Sequence, residues 1–128
     1  MKQKEAIQAY LSVKKLNGQD TNVKTAMKVF DLYTKLRKAW DFQVQEELKM
    51  FERHPEVDPD TKGIKFKTDE ERKAAVSIIE QFNKEADELS NLDFEIEFEP
   101  FKIILDQEPG IKLSGSDIGN LSPFITFE

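Results

Sequence analysis

Residues Asp20 to His54 read DTNVKTAMKVFDLYTKLRKAWDFQVQEELKMFERH and contain neither Pro nor Gly. Val23, Ala26, Met27, Phe30, Tyr33, Trp40, Val44, Leu48 and Phe51 recur at three- or four-residue steps, with Arg37 interrupting the stripe. That is the period of a helix with one apolar face. Val29, Leu32 and Leu36 widen the face. Asp20, Thr21 and Asn22 supply candidate N-cap oxygens. His54-Pro55 ends the element, because the residue before Pro is pushed out of the helical region. A helix of about 30 residues spans roughly 45 Å. A compact chain of 128 residues does not need so long a rod. Part of it is therefore expected to project or to pair with a partner.

Before this stretch, Lys2 to Leu16 carries Ala6, Ile7, Tyr10, Leu11 and Val13 at roughly helical spacing, and Asn17-Gly18 supplies a stop. After it, Asp58 to Gly63 reads as a turn between short extended pieces, the second being Ile64-Lys65-Phe66-Lys67. Thr68-Asp69-Glu70-Glu71 has capping-box spacing. The helix it opens places Ala75, Val76, Ile79, Phe82, Ala86 and Leu89 on one face and closes at Ser90-Asn91. The last third changes character. Phe94-Glu95-Ile96-Glu97-Phe98 alternates with period two, as a half-buried strand does. Pro100 puts this region at an edge or bend. Phe101 to Leu105 and Ile111 to Leu113 are further extended pieces around a Glu108-Pro109-Gly110 turn. Ser114 to Asp117 caps a helical turn through Ile118 and Leu121. Five of the ten Phe lie between 94 and 127, so this tail is expected to pack on the helices or on a neighbour.

The expected fold is a single mainly helical α+β domain over residues 1–128. Residues 1–90 are mainly helical, with a turn or short hairpin at 55–67. Residues 91–128 form short strands and the Phe-rich tail. A long helical hairpin packs on a small antiparallel sheet drawn from the C-terminal third.

Composition excludes several chemistries. There is no Cys, hence no disulfide, thiolate metal site or Cys nucleophile. The longest apolar runs, such as Ile103-Ile104-Leu105, are too short for a membrane span. No Ser sits in a nucleophile elbow. The only His, His54, reads as a helix C-terminal cap, with a ligand or proton-transfer role as the alternative. Asp58, Asp60, Lys62, Gly63 and Asp69 fall at calcium-loop positions one, three, five, six and twelve. A cation at the fifth position and the missing Glu at the twelfth oppose calcium, and a turn explains the stretch.

The net charge of −6 conceals an asymmetry. Residues 1–54 carry 11 Lys or Arg and 7 Asp or Glu, whereas residues 55–128 carry 8 and 18. Residues 85–99 hold seven carboxylates and no cation. Among them Glu88, Asp93, Glu95, Glu97 and Glu99 are candidates for an interaction surface. Three readings stand: a solvated edge that resists aggregation, a docking face for a basic partner, or a metal site of paired carboxylates. On the long helix, Lys24, Lys28, Lys35, Arg37 and Lys38 form the opposite pole. They read as a solvated face, as partners of the acidic strand, or as phosphate contacts. No nucleic-acid motif accompanies them, so nucleic acid is not the expected partner. Trp40, Phe124 and Phe127 complete the candidate surface, and no cofactor is expected.

The segments V-K-T-A-M-K-V (Val23 to Val29), E-A-D-E-L-S-N-L (Glu85 to Leu92), F-E-I-E-F-E-P-F (Phe94 to Phe101) and D-I-G-N-L-S-P-F-I (Asp117 to Ile125) occur in an order that resembles short phage and prophage proteins of unknown function. The resemblance covers most of the chain and carries no catalytic residues. It implies phage origin and a small non-enzymatic role. The expectation is thus a protein-interaction or assembly module, in the virion or in the cytoplasm of an infected or lysogenic bacterial host, binding a protein or itself. The alternative is an acidic DNA mimic that inhibits a host nuclease or defence protein.

Overall fold

The computed structural model describes all 128 residues. Its order is α1 (Gln3–Asn17), α2 (Val23–Arg53), α3 (Asp69–Ser90), β1 (Phe101–Ile103), a 3-10 turn (Leu105–Gln107), α4 (Gly115–Leu121) and β2 (Ile125–Phe127). The mainly helical α+β class is as expected. The apolar residues gather in two clusters rather than one, and the chain forms two compact units. The terminal unit comprises Met1–Asp41 and Asp93–Glu128, and the middle unit comprises Phe42–Leu92.

In the terminal unit, α1 buries Ala6, Ala9, Tyr10, Val13 and Leu16, and α2 buries Val29, Leu32, Leu36 and Ala39. Tyr10 stacks between Tyr33 and Trp40, with ring centroids 5.7 and 5.3 Å away. Gln3 donates a buried 2.8 Å hydrogen bond to the Ala39 carbonyl. The C-terminal third supplies the rest of this core through Ile103, Leu121, Phe124 and Ile125. In the middle unit the C-terminal part of α2 and α3 share Met50, Phe82 and Leu89, joined by Val57 from the turn region. Phe51 and Phe82 lie 5.3 Å apart.

The sheet corrects the antiparallel expectation. β1 and β2 pair in parallel, Phe101 opposite Ile125 and Ile103 opposite Phe127. Parallel strands need a crossover rather than a tight turn, and the chain from Ile104 to Phe124, including α4, provides it. The Glu108-Pro109-Gly110 turn does not fold Ile111–Leu113 back onto β1. It delivers that segment to the α1–α2 loop, where Lys112 and Gln19 exchange hydrogen bonds of 2.9 and 2.6 Å. Two other expected strands lack ladders. Phe94 to Phe98 is outside any strand, tied at its start by mutual hydrogen bonds between Met1 and Phe94 and a bridge of Lys2 with Asp93. Its alternation survives as burial: Phe94, Ile96 and Phe98 pack on the core and Glu95, Glu97 and Glu99 face water. Ile64 to Lys67 forms no strand either, and the Lys67 N–H turns to the Glu71 carboxylate at 2.7 Å.

Local signals set the helix ends. Thr68 caps α3 by accepting from the Glu71 N–H (3.1 Å). Of the three candidates before α2, Asn22 is the cap, its side chain accepting from Thr25 N–H at 3.0 Å. Glu108, buried, reinforces that helix start from 86 residues away. It accepts from the Asn22 main chain (3.0 Å), the Asn22 side-chain amide and the Thr25 hydroxyl (2.9 Å). A carboxylate at a helix N-terminus also meets the positive end of the dipole.

Gly110 is required by close approach. A Cβ there would lie 2.3 Å from the Asp20 carbonyl oxygen, a backbone atom that cannot swing away. In contrast, a Cβ at Gly119 in α4 meets nothing within 4 Å. Thermal unfolding should separate the two. Gly110→Ala is expected to destabilise by more than about 1 kcal/mol, and Gly119→Ala to stabilise by about 0.5–1 kcal/mol through helix propensity. A neutral Gly110→Ala would show that the α1–α2 loop does not hold this register.

Candidate functional site

The helix that dominates the sequence turns its more obvious stripe outward. Val23, Met27 and Phe30 are 76%, 69% and 58% exposed. The sequence pattern puts them on the buried face, but the residues that only widen the stripe, Val29, Leu32 and Leu36, are the buried ones. The reason is that α2 is apolar on two sides. α1 and the returning C-terminal third cover the Leu-rich side, and nothing in the terminal unit covers the other. Lys24, Asp31 and Lys38 are exposed beside the patch.

Lys28 and Lys35 are committed to this unit's own structure. The Lys28 ammonium lies 5.3 Å from the centre of the Phe101 ring, and that of Lys35 lies 5.5 Å from the Phe98 ring. Lys35 also donates to the Glu97 carbonyl (2.9 Å) and pairs with Asp31 at 3.3 Å. The basic helix thus meets the acidic segment through aromatic faces and main chain, while the carboxylates of Glu95, Glu97 and Glu99 remain exposed. Asp93 is exposed in the same unit, and Glu88 is exposed on α3 of the middle unit. The other aromatic candidates pack in or against the core. Phe124 is buried in the core, and Phe127 and Trp40 are partly buried against it. Phe124 is corrected from interaction surface to structure, because the tail that carries it covers α1 and α2.

No three His, Cys, Asp or Glu side chains converge as a metal site would require. Asp58 uses its carboxylate on its own turn, accepting from the Asp60 and Thr61 N–H groups at 2.8 and 3.4 Å. His54 ends α2 and points Nε2 at Glu85 of α3, 2.9 Å away, with Arg53 3.4 Å from the same carboxylate. Burial acts to raise the Glu85 pKa, but the hydrogen bond from His54 and the charge of Arg53 outweigh it and hold the carboxylate below its usual range. The His54 ring edge also meets Phe82, 6.0 Å between centroids. This is a clasp between two helices, and periodicity alone does not reveal it.

One of the two buried carboxylates, Asp117, does not stand out as a site in the sequence. Asp117, buried at the start of α4, accepts from the Ser12 hydroxyl (2.9 Å) and from the Ser114 N–H and hydroxyl (3.2 and 3.0 Å). Lys15 stands 3.3 Å from both of its oxygens. Asn120 donates to the Ser12 hydroxyl at 3.2 Å. Asp117 lines a concavity of about 690 Å³ with Gln8, Leu11 and Lys14, but its oxygens are engaged within the fold. Only the local part, Ser114 capping Asp117, is visible in the spacing. No helix is long and apolar enough to cross a membrane.

Burial acts to raise the Asp117 pKa, yet the hydrogen bonds from Ser12, Ser114 and Lys15 prevail and lower it. A carboxylate whose folded pKa lies below its unfolded value, about 3.9 for Asp, stabilises the fold above that value. The contribution is lost as pH falls through the folded pKa. Denaturant unfolding should therefore show Asp117→Ala destabilised by about 1–3 kcal/mol at neutral pH, with the gap to the parent closing in acid. A gap that stays constant down to strongly acidic pH would contradict this role. Comparisons with protein-family models, with curated proteins and with solved structures found no match to this chain.

Proposed function

We propose that this protein is a non-enzymatic protein–protein interaction or assembly module of phage or prophage origin, working in the virion or in the cytoplasm of its bacterial host. The observation that carries the reading is the outward face of α2. Three large apolar side chains, Val23, Met27 and Phe30, stand in water on a rigid helix with Lys24 and Lys38 beside them. Clustered exposed apolar residues rimmed by charge mark protein contacts more often than they mark idle surface. The engagement of the Asp117 and Glu85 carboxylates within the fold fits a binding role. Phage origin rests on the order of the sequence segments from Val23 to Ile125.

A second reading, an acidic DNA mimic, draws on Glu95, Glu97 and Glu99, which are exposed on a segment that carries no cation of its own. Alternate residues of an extended chain repeat about every 7 Å, a regular row of negative charge. The two readings place the working residues on different elements.

Capture from host or infected-cell lysate separates them. Met27→Glu should lose the captured protein while leaving stability within about 0.5 kcal/mol, since the side chain is largely exposed. Combined Glu95→Gln, Glu97→Gln and Glu99→Gln should leave capture intact. The reverse pattern, with a nucleic-acid enzyme as the captured protein, would overturn the α2 reading in favour of mimicry.

A further inference from the structure

The middle unit carries a patch that matches the one on α2 of the terminal unit. There, near its C-terminal end, α2 exposes Leu48 (58%) and Val44 (40%), with Glu52 exposed one turn beyond Leu48. The cations of this stretch are already committed, Lys49 to Glu46 at 2.9 Å and Arg53 to Glu85 at 3.4 Å. This patch is therefore apolar with a free acid, whereas the first is apolar with free bases.

We infer that the occupant of the Val23–Met27–Phe30 face is the Val44–Leu48–Glu52 face of a second copy of this chain, the two helix segments packing antiparallel. The inference rests on the reading of α2 as an interaction surface and names its partner. Spacing supports the register. Met27, Phe30 and Lys24 advance along one helix by the steps that separate Leu48, Val44 and Glu52 along the other in reverse, to within about 1.5 Å. Met27 then packs on Leu48, Phe30 on Val44, and Lys24 comes beside Glu52. Two apolar contacts and an opposite-charge pair are made with one orientation, and the parallel orientation sets Lys24 away from Glu52. The contact is isologous, since both patches lie on the one helix α2 and antiparallel pairing that sets Met27 on Leu48 of the second copy also sets Leu48 on its Met27. The opposed charges on the two ends of α2 thereby become a specificity element, which discriminates register and direction more than it adds affinity.

The test is the association of the intact chain measured by sedimentation equilibrium over a wide concentration range, with circular dichroism as the fold control. The parent is expected to self-associate, and Met27→Glu to abolish this. Lys24→Glu and Glu52→Lys should each weaken association about tenfold, by replacing attraction with repulsion at the contact. The double variant should regain most of the loss, because exchanging both charges restores an opposite-charge pair across the copies. The two positions lie near opposite ends of α2, so rescue cannot arise within one chain. A parent that stays monomeric at all concentrations overturns self-pairing, while a Met27-dependent capture of another protein would still uphold the broader reading. Failure of the double variant to recover overturns the register.

Discussion

The chain's last third must return to its first helix before either is stable, and the buried Asp117 carboxylate is where that return is pinned. Ser12 and Lys15 of α1 reach it from more than 100 positions away in sequence. Around it, Leu121, Phe124, Ile125 and Ile103 close the core that α1 and α2 open. The polar and apolar parts depend on each other. A carboxylate buried without its donors would oppose folding, and α4 without the Asp117 side chain would lose the reciprocal half of its capping box and its anchor to α1. The ion pair to Lys15 is the least of these terms, because that ammonium is mostly exposed and screened. The hydroxyl and amide donors carry the site.

This closure explains why the Phe-rich tail is structural. Phe124 lies in the core with Phe127 partly buried against it, and β2 is held by pairing in parallel with β1. It also fixes which side of α2 remains free. Once the C-terminal third covers Leu32 and Leu36, the opposite side with Met27 and Phe30 is left to solvent. The Lys side chains that flank the covered side, Lys28 and Lys35, lie over Phe101 and Phe98. Their charge is partly absorbed by the fold, and the outward basic character falls to Lys24, Arg37 and Lys38, all exposed.

Features encoded within a few residues were legible in the sequence. The helices, the Thr68 cap, the Ser114–Asp117 cap and the in–out alternation of Phe94 to Phe98 all follow from neighbours or from period. Features made by distant pairs were not. Gly110 against Asp20, Glu108 at the start of α2, Glu85 with His54 and the parallel direction of the sheet each join segments that local spacing cannot connect. The face of α2 is an intermediate case. Its period was plain, but a helix apolar on two sides does not say which side is covered. The same ambiguity hid the candidate site, since exposed Met27 and buried Leu36 look alike in a one-dimensional pattern.

Amide hydrogen exchange on the intact chain, followed through mild denaturant, tests most directly whether the two ends of the sequence form one cooperative structure. The account predicts that amides of α1, β1, α4 and β2 lose protection together, at one free energy of opening. Protection retained in α1 while β1, α4 and β2 exchange as open chain would contradict it.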